Sequence, residues 1–141
     1  MECVFCKIVK GEVPCKKVYE NEGALAFLDI SPLSDGHTLV IPKRHFSKAD
    51  EMDAESWGAV ADALSRVSRL LVERLGVENY NILQNNGRLA HQLVMHVHFH
   101  VIPKTPGAGL KLQWESRASD LDKVHERLTT GQSTLIQGKS F

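Results

Sequence analysis

No run of apolar residues in this chain approaches the roughly 20 needed to cross a bilayer core, and the opening Met1-Glu2-Cys3-Val4-Phe5-Cys6-Lys7 has no leader-type hydrophobic region. Membrane partners are therefore not expected, and the location expected is the cytoplasm, with free passage to the nucleus. Charge of one sign is lacking too. The 17 Lys and Arg balance the 17 Asp and Glu, so no broad basic field invites nucleic acid. Cysteine is scarce and odd in number, three in all, which argues against a disulfide framework. Repeats and low-complexity tracts are missing. What remains is a chain of 141 residues, long enough to bury its own core as one domain.

The most informative stretch is His96-Val97-His98-Phe99-His100-Val101, leading into Ile102-Pro103-Lys104. Strict alternation with β-branched and aromatic residues predicts a half-buried strand. Successive strand side chains point to opposite faces, so Val97, Phe99 and Val101 face a core and the imidazoles line the other side, about 6.5–7 Å apart. A helix would scatter them. A lone histidine on a strand is usually just half-buried and hydrogen-bonded. Three of the chain's seven on one face form a row of weak bases suited to chemistry on a charged substrate.

The remaining elements follow in order. Lys7 to Lys10 continue a helical turn that stops at Gly11, and Lys17–Glu20 pairs across Asn21-Glu22-Gly23 with a strand over Ala24–Ile30. A third strand covers His37–Ile41. Asp53 caps a long helix whose Trp57, Val60, Ala61, Leu64, Val67, Leu71 and Leu75 recur at helical spacing up to Gly76. Tyr80–Gln84 is a fourth strand, Asn85-Asn86-Gly87 a turn, and the histidine strand the fifth. This order predicts an α+β fold, a five-stranded antiparallel sheet with one long helix on one face. Asp120 to Leu128 is a further short helix. One domain is expected over 1–130, with a flexible tail over 131–141.

Cys3 and Cys6 form a C-x-x-C pair, which lets two thiolates grip one ion. A structural zinc needs four ligands, and His45 and His96 are the best completions. A redox dithiol or two inert thiols remain alternatives. Cys15 reads as a plain small side chain. A zinc held by the three histidines, with a bound hydroxide, is a rival use of the row. Alternatively, imidazole is itself a nucleophile that splits one hard substitution into two easier ones. Neighbouring imidazoles can stabilise anionic oxygens and protonate a leaving group. Only the middle residue, His98, has such neighbours on both sides, which nominates it as the nucleophile.

The run from His96 to Ile102 resembles the signature of the histidine triad family. Phe5-Cys6-Lys7-Ile8, Gly11-Glu12-Val13-Pro14, Ala26 to Ile30, Gly36-His37, Leu39 to Lys43 and Asn85-Asn86-Gly87 extend the resemblance over Cys3 to Lys104. Among them, Phe5-Cys6-Lys7-Ile8 and Gly11-Glu12-Val13-Pro14 favour the Hint branch of adenosine phosphoramidases over the Fhit-type dinucleoside polyphosphate hydrolases. The resemblance implies a homodimer whose sheets join into ten strands and which binds purine nucleoside monophosphates (AMP or GMP). It implies hydrolysis of a P–N bond or an aminoacyl adenylate, with His98 nucleotidylated, His100 on the phosphate and His37 in support. Asp29 accepts the ribose hydroxyls; Phe5, Ile8 and Ile30 line the base pocket; Asn85 and Gln92 reach the ribose or phosphate. It also implies one structural Zn2+ per chain on Cys3, Cys6, His45 and His96, with no metal needed for the chemical step. In place of the branch's Gly-Gln-Ser-Val stand His91-Gln92-Leu93-Val94, so Leu93 offers the phosphate only its backbone N–H, and His91 is an extra loop residue. Trp114 is similar to a tryptophan that reaches toward the partner's site. A polyphosphate hydrolase, and a nucleotide-binding adaptor with little turnover, are the alternatives.

Overall fold

The computed structural model describes residues 2–131, so the expected tail over 131–141 lies, apart from Gly131, outside the described residues. Where one domain was expected over 1–130, the chain forms two compact units, Met1–Leu110 and Lys111–Phe141.

The first unit is the expected α+β sheet. Helix α1 (Val4–Val9) precedes strands β1 (Lys17–Glu20), β2 (Ala24–Leu28) and β3 (Thr38–Pro42), then helix α2 (Ala54–Leu75), β4 (Tyr80–Gln84) and β5 (Phe99–Pro103). The strands lie in the order β1-β2-β3-β5-β4, every neighbour antiparallel. No helix among the described residues is long and apolar enough to cross a membrane.

Helix α2 begins where Asp53 accepts the Ser56 N–H at 2.8 Å and ends at Gly76, whose φ of 64° closes the last turn. Its buried Val60, Ala63, Val67 and Leu71 recur every three or four residues and pack on Ala24, Ala26, Val40, Val97, Phe99 and Val101. Ala61 lies on the solvent side of the helix and Leu75 is exposed. The sheet's other face carries Leu25, Phe27, Leu39 and Ile41 beneath Phe5 of α1.

Three strand limits differ from expectation. β2 ends at Leu28 rather than Ile30, because Asp29 Oδ1 accepts the Ser31 N–H at 2.8 Å and turns the chain. β3 starts at Thr38 and includes Pro42, whose missing N–H is tolerated at a strand end. β5 starts at Phe99, not His96. The alternation of faces nevertheless runs back through Val97, which is fully buried in the helix-side core.

In the second unit, helix α3 (Leu121–Thr129) is capped by Asp120, which accepts the Lys123 N–H at 3.1 Å. Trp114 is largely exposed.

Candidate active site and metal-binding cluster

His98 and His100 emerge on the Leu39 face of the sheet, since Leu39 pairs with His100 across β3 and β5. His37, two residues before Leu39, shares that face. Their rings form a contiguous cluster, with centroids 5.2 Å apart for His98 and His100 and 5.2 Å for His37 and His100.

Hydrogen-bond partners define each tautomer. His98 Nδ1 lies 2.7 Å from the His96 carbonyl oxygen and must donate to it, which leaves the lone pair on Nε2. The Leu33 N–H donates to His37 Nδ1 at 3.0 Å, so His37 carries its proton on Nε2. That Nε2–H donates to His100 Nδ1 at 2.9 Å, and Asp29 Oδ2 stands 3.5 Å from the same nitrogen. His100 therefore accepts at Nδ1 and holds a hydrogen on Nε2. Among the described residues, the face thus presents one imidazole with a free lone pair beside one with a free N–H.

Burial holds these rings neutral. Desolvation is the largest cause that pushes His37, His98 and His100 below the usual imidazole value, His100 to about 4, while the Asp29 carboxylate pulls the other way. Neutral imidazole is the form that can attack an electrophile.

A second cluster collects Cys3, Cys6, His45 and His96, whose ligand atoms all lie within 4.8 Å of one another. Cys3 Sγ is 3.4 Å from His96 Nδ1, and Cys6 Sγ is 3.4 Å from His45 Nδ1 and 3.6 Å from His96 Nδ1. The two Nδ1 atoms are 3.2 Å apart. Bond lengths of about 2.3 Å to sulfur and about 2.0–2.1 Å to nitrogen, at tetrahedral angles, give S···N edges of about 3.6 Å and N···N edges of about 3.3 Å. The four residues match that shape. His96 Nε2 donates to the Pro42 carbonyl at 2.8 Å, which frees Nδ1 as a ligand and orients the ring. The donor set and its spacing fit a zinc ion. Asp29, His37 and His100 also bring three potential ligand atoms together. There, however, the nitrogen a metal would need on His37 bears the hydrogen, so that group is a hydrogen-bonded relay.

The other expected residues fall into three groups. Phe5 is buried, edge-on to His98 at 5.2 Å, to His96 at 5.8 Å and to Phe27 at 5.8 Å, with Ile8 packed on the same cluster. Ile30 and Leu93 are surface residues, and Leu93 borders a recess that also includes Cys3, Cys6 and His45. Asn85 is half-buried and donates to the His91 carbonyl at 3.4 Å. Gln92 sits inside the fold. Its Oε1 accepts the Gly87 N–H at 2.7 Å and its Nε2 donates to Ser47 and Val94 carbonyls at 2.6 and 3.1 Å. Those bonds brace the loop before His96, a role its loop position did not reveal. His91 is exposed and has a φ of 71°, the one positive value outside glycine among the described residues. The backbone groups of Leu33, Pro42 and His96 also escaped sequence reasoning, since nothing in residue type marks a carbonyl or N–H as a partner.

An α+β domain that lines one sheet face with neutral, hydrogen-bonded imidazoles, two of them alternate on one segment, is a histidine-centred fold. A family model described as the HIT domain matches residues 10–107, and the chain belongs to the histidine triad (HIT) family. It is 52% identical over 117 residues, 82% of this chain and 85% of the relative, to the adenosine 5'-monophosphoramidase of Schizosaccharomyces pombe. Among solved structures it is similar to the histidine triad nucleotide-binding protein of Candida albicans, at 38% identity and a TM-score of 0.85, covering 95% of this chain and 99% of that one. A zinc-bound histidine triad family protein from Mycobacterium smegmatis matches at 37% identity and a TM-score of 0.71 over 89% of each chain.

Proposed function

We propose that this protein is a nucleotide hydrolase that cleaves the P–N bond of purine nucleoside 5'-phosphoramidates through a nucleotidyl-histidine. The observation that carries the reading is the His98 tautomer, with Nδ1–H held on the His96 carbonyl and the Nε2 lone pair free. Nε2 attacks the α-phosphorus. The Nε2–P bond forms as the P–N bond breaks, and the departing nitrogen takes a proton from solvent to leave as the amine, a proton returned to solvent when water later hydrolyses the Nε2–P bond. Positive charge then spreads over the His98 ring, where the His96 carbonyl meets it through the retained Nδ1–H. The Nε2–H of His100 donates to a phosphate oxygen, its direction set by His37. Water then attacks phosphorus, breaks the Nε2–P bond, and releases the nucleoside monophosphate with the imidazole restored.

The name of the Schizosaccharomyces pombe relative, an adenosine 5'-monophosphoramidase, supports the substrate class. Asp29 serves the ribose hydroxyls through charge-assisted hydrogen bonds, with exposed Ile30 beside it as an apolar wall for the base. Cys3, Cys6, His45 and His96 hold one structural zinc per chain, which supplies cross-linking and no chemical step. A homodimer forms along β4, an edge strand that exposes Tyr80 and Ile82. The protein works in the cytoplasm and nucleus.

The test compares parent and His98→Ala on an AMP-linked amine. The variant should lose turnover while AMP affinity, measured by calorimetry, stays within about threefold, since nucleophile loss removes transition-state interactions only. Undiminished turnover in the variant sinks the assignment, and faster cleavage of a diadenosine polyphosphate by the parent redirects the substrate class.

A further inference from the structure

We infer that the Cys3/Cys6/His45/His96 cluster positions the nucleophile as well as tying down the N-terminus, an inference that rests on the function proposed above. His96 is both a member of the cluster and the owner of the carbonyl that accepts from His98 Nδ1 at 2.7 Å. One residue therefore joins the two sites.

The backbone alone does not hold that carbonyl. The β5 ladder begins at Phe99, so His96 to His98 lie before the strand. Their described backbone tie outside regular elements is the Val97 N–H on the Phe46 carbonyl at 2.8 Å. The His96 ring carries the rest of the restraint, gripped at Nε2 by Pro42 and at Nδ1 by the cluster. A second route runs through α1. Phe5 lies between Cys3 and Cys6 on that helix and sets its edge against both the His96 and His98 rings. Fixing the two thiols thus also fixes the aromatic side of the nucleophile. Without a cation, thiol-to-imidazole contacts of 3.4 Å link the four ligand atoms, a weaker restraint than four metal bonds, so His96 and its carbonyl are held more loosely. His45 and the thiols act only through His96 and Phe5 and are positioning residues.

His45→Ala tests this on the full chain. The variant should purify with less than about a tenth of an equivalent of zinc, and its kcat on an AMP-linked amine should fall about 10- to 100-fold. KM and AMP affinity should stay within about twofold, because no substrate contact is removed. His45→Cys, which offers zinc a three-cysteine, one-histidine set, should recover both metal and kcat. Independently of turnover, the ring 15N shifts of His98 should show a single Nδ1–H tautomer in the parent and a mixture in His45→Ala. If His45→Ala does not fold, chelator-treated parent takes its place with the same readouts. A metal-free protein with kcat within about threefold of the loaded parent and an unchanged His98 tautomer overturns the inference. A parent that fails to cleave the AMP-linked amine refutes the proposed function instead, and the 15N spectra still decide whether the cluster sets the tautomer.

Discussion

Acid should loosen this fold through His100, and the size of the effect follows from its surroundings. Burial first, then the neighbouring His98 and His37, push its pKa from 6.5 to about 4, against the pull of Asp29. The folded pKa lies below the unfolded one, so the unfolded chain takes up the proton first as pH falls. Stability is therefore complete above about pH 6.5 and drains away down toward pH 4. Between pH 7.5 and 5 the linkage relation gives about 2 kcal/mol for such a shift. The ring is only partly shielded from water, and screening reduces the figure to about 1 kcal/mol. Equilibrium urea unfolding of parent and His100→Asn at fixed protein concentration reads this contribution together with its coupling to His98 and His37, since acid effects on the more distant histidines and on any bound metal are common to both. The stability difference between them should shift by about 1 kcal/mol against the parent over that range. Curves that stay parallel, or a parent that gains on the variant in acid, would refute the burial of a neutral His100.

Gly36→Ala should lower stability by about 2–3 kcal/mol, read as a drop in thermal midpoint. Gly36 has a φ of +94°, and a Cβ there would stand 2.9 Å from methyl carbons of both Leu71 and Leu75, next to His37. A midpoint unchanged within a degree or so contradicts that packing. The acid limb of kcat/KM should fall below pH 6.5, because burial lowers the His98 pKa and the attacking ring must be neutral. Asp29→Asn removes the charge that raises that pKa and should move the limb further into acid; a move toward neutrality would contradict the geometry.

The alternation Val97, Phe99, Val101 against three histidines was legible because a strand's two-residue period survives even where ladder bonding does not. Asp53 and Gly76 marked both ends of α2 because capping chemistry is local. The cysteine–histidine cluster was legible as a residue set, since four soft ligands with one C-x-x-C pair have few other partners. Its link to His98 was not, because it runs through the His96 backbone carbonyl. Gln92 and Phe5 show the same limit. The family resemblance marked both as ligand contacts, whereas the packing that places Gln92 among the carbonyls of Ser47 and Val94 and Phe5 against two imidazoles is long-range and left no mark in residue type. The start of β5 at Phe99 depends on its partner strand, since the described pairing of β3 with β5 runs from Val40 opposite Phe99.

The central claim is that His98 Nε2 attacks phosphorus, and trapping the intermediate tests it most directly. Parent protein mixed with an AMP-linked amine, quenched within the first turnover and digested under conditions that preserve phosphoramidates, should yield one peptide carrying an added AMP, with fragmentation mapping the group to His98. An adduct on His96 or His100, or a parent that turns over with no adduct at any quench time, would contradict the account.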